Sequence, residues 1–203
     1  YLAELDKNVR AAAEAAMASV QEVSISYAAG RSNMAGNRDY WDAKRGLYAC
    51  GYNPDAPADE TVMVARVSDT QGKTVAVVVN YGCHPTTLAW DNSLISPDYI
   101  GALRETVEQA TGATCVFILG ACGDLGPREG FVGDTKVADR NGRQVAYAAL
   151  AALEGMDPPL TDFAYTGPVV SGATLGTWAP VAQTRERLAS ATQMAGRRFT
   201  VDL

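Results

Sequence analysis

The stretch Thr74-Val75-Ala76-Val77-Val78-Val79-Asn80-Tyr81 decides the fold. From Val75 to Val79 every side chain is apolar. A strand that is apolar on both faces predicts a central strand, buried on both sides of a sheet. Just before it, Thr61 to Val67 is a second β-branched run. The segment Asp69-Thr70-Gln71-Gly72-Lys73 lies between the two, so they form an antiparallel hairpin. Further on, Pro97 opens a helix that runs to about Thr111 and stops at Gly112. Ser96 is its expected N-cap, with Asp98 in the first turn, where the helix dipole favours a carboxylate. Thr114 to Leu119 is a third strand, also fully apolar.

Working outward, Val23 to Ala28 alternates as a strand. Leu2, Leu5, Val9, Ala12, Ala16 and Val20 recur at helical spacing in an Ala-rich amphipathic helix. Gly30 to Pro57 reads as one long irregular loop carrying Tyr40, Trp41, Tyr48 and Tyr52; loops of that length in compact domains are often functional. Gly120 to Gly133 is a glycine-rich loop. Val137 to Leu153 is a helix closed by Gly155 and Pro158. Phe163 to Ser171 reads as a strand, Arg185 to Met194 as a short helix, and Phe199 to Leu203 as a last strand. This order predicts an α/β domain, a layered mixed sheet with packed helices.

The 203 residues suffice for one sizeable core. Apolar content is 47%, charged content 20% and net charge −6, an ordinary globular balance that argues against non-specific nucleic-acid binding. No apolar run approaches the roughly 18 residues of a membrane span. The chain starts at Tyr1 in a helical pattern and stops within a strand pattern, so it is expected to be a piece of a longer protein. The four cysteines, Cys50, Cys83, Cys115 and Cys122, form no CxxC pair. Cys115 reads as a small core residue, and a Cys83–Cys122 disulfide stays open.

Four elements carry candidate chemistry. His84 is the one histidine and follows the decisive strand directly, in Asn80-Tyr81-Gly82-Cys83-His84-Pro85-Thr86-Thr87. A strand end holds a side chain rigidly while facing a cleft, and neutral imidazole is a common ligand of catalytic zinc. The same residue also reads as an ordinary hydrogen-bonded histidine. Gly120-Ala121-Cys122-Gly123-Asp124-Leu125-Gly126-Pro127-Arg128 follows the other apolar strand. Its glycines permit close backbone approach to a ligand and N–H donors for an oxyanion. By local sequence it reads first as a tight turn with Asp124 as a turn or capping residue, and it matches neither a P-loop nor a serine elbow. Ile95-Ser96-Pro97-Asp98 is the helix start, and Asn37-Arg38 lies in the long loop, where Arg38 suits a carboxylate or a polarised carbonyl.

In this order these elements resemble the neutral/alkaline (non-lysosomal) ceramidase family over about residues 1 to 153. The resemblance makes 1–203 a single partial catalytic domain, with 1–157 a family-like core and 158–203 an unmatched extension. It implies an α/β/β/α-type fold, a zinc cofactor and hydrolysis of the linear amide of an N-acylsphingosine. It further implies a metal held by two His, a Glu and a Tyr. His84 matches the second His, and the other ligands are expected outside these residues. Arg38 matches an active-site Arg, and Gly123, Asp124 and Gly126 a substrate-pocket loop. The implied partner is a small-molecule or lipid-like substrate, and the implied setting secreted or periplasmic. One departure stands out: Gly126 occupies the position of the family's catalytic Ser. Zinc lowers the pKa of its bound water to about 7, enough for hydrolysis without that Ser. Arg128 in place of the family's Asn adds positive charge suited to an anionic substrate. The alternative is a non-catalytic, ceramidase-like binding protein. A thiol hydrolase using Cys83 or Cys122 beside His84 has no local signature.

Overall fold

Residues 1–192 are described by a computed structural model. The chain runs α1 (Leu2–Ala18), β1 (Val23–Arg31), β2 (Ala35–Asn37), β3 (Asp39–Asp42), β4 (Leu47–Cys50), β5 (Thr61–Asp69) and β6 (Thr74–Tyr81). It continues with α2 (Tyr99–Thr111), β7 (Thr114–Leu119), β8 (Leu125–Pro127), α3 (Thr135–Glu154), β9 (Thr161–Ser171), β10 (Ala173–Ala182) and α4 (Arg185–Ala191). The strand expected at Phe199–Leu203, and the end of the helix expected to reach Met194, lie outside the described residues.

The valine-rich strand β6 sits inside a four-stranded sheet of order β1-β5-β6-β7. β5 and β6 form the expected antiparallel hairpin, with Val64 opposite Val79. β7 joins β6 in parallel, Val77 opposite Cys115, after the crossover through α2. The fold is therefore α/β with a mixed sheet and packed helices.

One sheet face forms the core. Val62, Val64, Val77, Val79, Tyr81 and Cys115 point toward Tyr99, Leu103 and Val107 of α2 and Val145, Ala146 and Ala149 of α3. Burial of these apolar side chains drives the packing, at roughly 1.5–3 kcal/mol for each large one. Two glycines set how closely the layers approach. A Cβ on Gly142 would lie 2.1 Å from the Tyr99 carbonyl oxygen, and one on Gly30 2.5 Å from that of Ala148.

The other face corrects an expectation. Val75 to Val79 was expected to be enclosed on both sides, but only Val77 and Val79 are fully buried, while Ala76 and Val78 are half-buried. Ile25, Tyr27, Met63, Val116 and Ile118 share that open face and are exposed. The apolar stripe of α1 is also uncovered: none of its residues is buried among those described. Periodicity identified the helix but cannot say what covers it.

Two further expectations change. The segment expected as one irregular loop contains two antiparallel ribbons, β3 with β4, and β2 with the distant β8. Helix α2 begins two residues later than its proline indicated. Its N-cap is Asp98, whose carboxylate accepts the Tyr99 N–H at 2.6 Å, while Ser96 Oγ accepts the Asp98 N–H at 3.0 Å. Gly112 closes the helix in the left-handed conformation, φ 65°. Asp134 caps α3 by accepting the Lys136 N–H.

Residues 1–156 form one unit and the residues from 157 onward a second. Within the second, β9 and β10 make a long hairpin that turns at Gly172, φ 72°, with Tyr165 and Trp178 rings 5.1 Å apart. The sequence reading had missed β10.

Candidate functional site

The sheet brings three separated motifs to one place. β6 and β7 are adjacent and parallel, so the segments leaving their C-terminal ends emerge side by side. The first carries His84 and the second the glycine-rich loop. The His84 N–H donates to the Leu125 carbonyl at 3.1 Å, and the His84 carbonyl accepts the Thr86 N–H at 2.9 Å. The third motif arrives through the β2–β8 ribbon, which pairs Gly36 with Gly126 and Asn37 with Leu125. The Arg38 N–H donates to the Asp124 carbonyl at 2.9 Å, and Asn37 Nδ2 lies 3.5 Å from Asp124 Oδ2.

Two buried tyrosines fix this arrangement. Tyr81, at the end of β6, donates its hydroxyl to the Ser32 carbonyl at 2.8 Å and accepts the Ala35 N–H at 2.9 Å. That tethers the start of β2 to the central strand. Burial pushes the Tyr81 phenol up to about 12, with the Ala35 hydrogen bond opposing. Tyr99, the first residue of α2, donates to the Cys83 carbonyl at 2.8 Å, next to His84. Its phenol is also raised, chiefly by burial.

The loop after His84 is pinned from two sides. The Leu88 N–H donates to Asp98 Oδ2 at 2.8 Å. Thr86 and Thr87 carbonyls accept the N–H groups of Phe131 and Val132, at 3.0 and 2.8 Å. Asp98 reaches its position with φ 57° and ψ −147°, a conformation that L-residues rarely adopt.

His84 is half-buried and its Nδ1 stands 2.9 Å from Cys122 Sγ. Cys122, within the glycine-rich loop, is buried. The sequence placed Cys83 or Cys122 beside His84 only as a thiol-hydrolase alternative without a local signature; with 38 residues between His84 and Cys122, no local pattern shows that it is Cys122 that meets the ring. Cys83, the other thiol beside His84 in sequence, is fully buried in the core, and burial raises its pKa first, with Asp98 next. All four cysteines are free thiols, so the Cys83–Cys122 disulfide is not formed.

Gly126 is buried, and a Cβ there would face Arg38 Cβ at 3.7 Å and Thr86 Oγ1 at 4.0 Å. Gly123 and Asp124 are exposed at the loop tip. Arg38 is half-buried, and among the described residues its guanidinium has no hydrogen-bond or ion-pair partner. Arg128 instead extends over the Tyr52 ring, 5.2 Å from its centre. Those two residues line a neighbouring cleft of about 310 Å³ together with Asn33, Glu129, Arg140 and Gln144; the cleft is not lined by His84. Glu129 and Arg140 pair across its rim.

His84 fits zinc by donor chemistry, being an imidazole on a rigid strand end. Among the described residues no three His, Cys, Asp or Glu side chains converge to hold a metal. Nor is any described helix long and apolar enough to cross a membrane.

Comparison with family models gives no match, and comparison with curated proteins gives none. Solved structures do match. The chain is similar to neutral ceramidase from Pseudomonas aeruginosa, with a TM-score of 0.57 and 19% identity, over 80% of this chain and 30% of that one. It is likewise similar to a ceramidase complexed with C2, with a TM-score of 0.58 and 19% identity, over 80% of this chain and 29% of that one. This chain thus spans less than a third of either neighbour's length. At this identity the likeness establishes a shared fold.

Proposed function

We propose that this chain forms part of the active site of a zinc-dependent hydrolase that cleaves an amide (N-acyl) bond in a lipid-like substrate. The observation that carries the reading is the convergence of His84, Arg38 and Gly126 on one loop, through the Leu125 carbonyl and the β2–β8 register. The neighbours named as ceramidases support the same reading at the level of fold. His84 would hold the metal with ligands supplied from outside these residues. Zinc, when bound, supplies Lewis-acid polarisation of the scissile carbonyl and an activated water near neutral pH. Arg38, whose guanidinium has no partner among the described residues, holds the carbonyl oxygen or an acidic group of the substrate. Gly126 leaves the space between Arg38 and Thr86 open for the acyl group.

The test is metal analysis of the full-length protein, with hydrolysis assays on N-acylsphingosine and simpler N-acyl amides. Stoichiometric zinc is expected, with activity lost in His84→Ala and reduced in Arg38→Ala. Absence of zinc, with activity surviving in His84→Ala, would sink the reading. A second reading, a ceramidase-like binding protein without catalysis, is favoured by the missing side chain at Gly126. Ceramide binding without turnover by the zinc-loaded protein is the result that would select it.

A further inference from the structure

We propose that Cys122 is a positioning residue for His84: its sulfur accepts the Nδ1–H of the imidazole and leaves the Nε2 lone pair as the ring's ligand atom. This rests on the reading of His84 as a metal ligand. The backbone of His84 is held on both sides, by Leu125 and by Thr86, so ring rotation is the freedom that remains. Cys122 removes it, because its Sγ lies 2.9 Å from Nδ1 and the thiol is itself buried. The Cys122 carbonyl accepts the Leu125 N–H at 3.0 Å, so the loop that grips the His84 N–H is the loop that carries the sulfur.

Two proton arrangements satisfy the contact. If the thiol donates to Nδ1, the proton of the neutral ring sits on Nε2 and no lone pair is left for a metal. If Nδ1–H donates to sulfur, Nε2 is free to bind. Metal binding selects the second, as second-shell partners of metal-bound histidines generally do. Joint ligation of one ion by Nδ1 and the thiol is disfavoured by distance. Zinc bonds of about 2.3 Å to sulfur and about 2.0–2.1 Å to nitrogen, at a tetrahedral angle, separate the two atoms by about 3.6 Å. The observed 2.9 Å is too close for an ion to bridge them.

The experiment uses the full-length protein. Zinc affinity is measured by chelator competition for the wild type, Cys122→Ala and Cys122→Ser, with circular dichroism confirming the fold of each. The alanine variant is expected to bind roughly 10–100-fold more weakly, and the serine variant, which keeps an acceptor, to recover most of the loss. Zinc X-ray absorption of the wild type should show nitrogen and oxygen neighbours without sulfur. A sulfur neighbour near 2.3 Å that disappears in Cys122→Ser would overturn the proposal, as it would make the thiol a ligand. Nitrogen-15 NMR of the zinc-loaded wild type, with the ring assigned through His84→Asn, should show the proton on Nδ1. Protonated Nε2 overturns the proposal without any cysteine variant. If the wild type binds zinc and Cys122→Ala binds it equally, this inference fails alone. If the wild type binds none, the zinc reading fails with it.

Discussion

The Asp98 carboxylate accepts the Leu88 N–H at 2.8 Å, joining the loop that follows His84 to the start of helix α2. The same side chain accepts the Tyr99 N–H at 2.6 Å, so one carboxylate both caps the helix and anchors the loop.

Asp98→Ala should therefore be among the more damaging single changes outside the apolar core. It removes a cap and leaves the Leu88 N–H without its acceptor. Each loss is worth about 1–2 kcal/mol. A fall in urea midpoint corresponding to roughly 2–3 kcal/mol is expected. Asp98→Asn should cost less, because the amide oxygen still accepts one of the two bonds. A loss below about 1 kcal/mol in Asp98→Ala would show that the carboxylate contacts contribute little.

Tyr81 makes stability depend on alkaline pH. Its folded-state phenol is raised from 10.0 to about 12, mainly by burial. Between those values the folded chain holds a proton that the unfolded chain has released, so stability falls as pH rises. The contribution is fully present below about pH 10 and is lost by about pH 12. Tyr81→Phe removes this dependence and also abandons the hydrogen bonds to Ser32 and Ala35, at a cost of about 1–3 kcal/mol at pH 7. Denaturation curves at pH 8, 10 and 11.5 should thus show the gap between wild type and Tyr81→Phe narrowing as pH rises. A constant gap would remove the buried phenol as the source.

The sheet was legible because the apolar, β-branched runs Val75–Val79 and Thr114–Leu119 mark strands, and Pro97 and Gly112 punctuate the helix between them; the burial of their second face was not, since Val116 and Ile118 are exposed. The partner of Ala35–Asn37 was not legible. Its register is set by Tyr81 and by the Leu125 region, nearly 90 residues away for Asn37 and Asp124. Asp98 was expected in the first turn because Ser96-Pro97 is the commoner start signal; it is the cap through the Tyr99 N–H, and its second contact, with Leu88, is tertiary. At the site, His84, Arg38 and Gly126 were singled out by order along the chain. Cys122 could be named only as one of two thiols beside His84, since a cysteine in a glycine loop looks the same whether or not an imidazole lies across from it.

Gly142 and Gly155, both near or within α3, should respond oppositely to alanine. At Gly142 the new Cβ would meet the Tyr99 carbonyl at 2.1 Å and the Leu103 nitrogen at 2.8 Å, both backbone atoms of α2. Relief requires the two helices to separate, and a loss at or above about 3 kcal/mol is expected. Gly155 has right-handed helical φ, −79°, and nearest neighbours at 3.6 Å, so alanine fits. Its reduction of unfolded-chain entropy should stabilise by about 0.4–1 kcal/mol. Urea titrations of both variants test the pair. A mild effect at Gly142 would mean that α2 and α3 do not approach as closely as the carbonyl contact requires.

Gly126→Ser returns a hydroxyl to the position where the resembling family carries its serine. Space permits it: the Cβ would lie 3.7 Å from Arg38 Cβ and 4.0 Å from Thr86 Oγ1, ordinary contacts with side-chain atoms alone. The new hydroxyl has Thr86 within reach as a partner, so stability should stay within about 1 kcal/mol of wild type. If substrate lies between Arg38 and the loop, the hydroxyl adds a donor at the reacting carbonyl. Loss of such a donor typically costs about 10²–10³ in kcat, so a gain of at least about tenfold on N-acyl amides is expected. On the proposed zinc-hydrolase reading, Gly126→Val should act in the opposite direction, filling the space and raising KM without loss of zinc. Should both variants fold, retain zinc and turn over substrate at the wild-type rate, the face of the loop at Gly126 would not be the one that meets substrate.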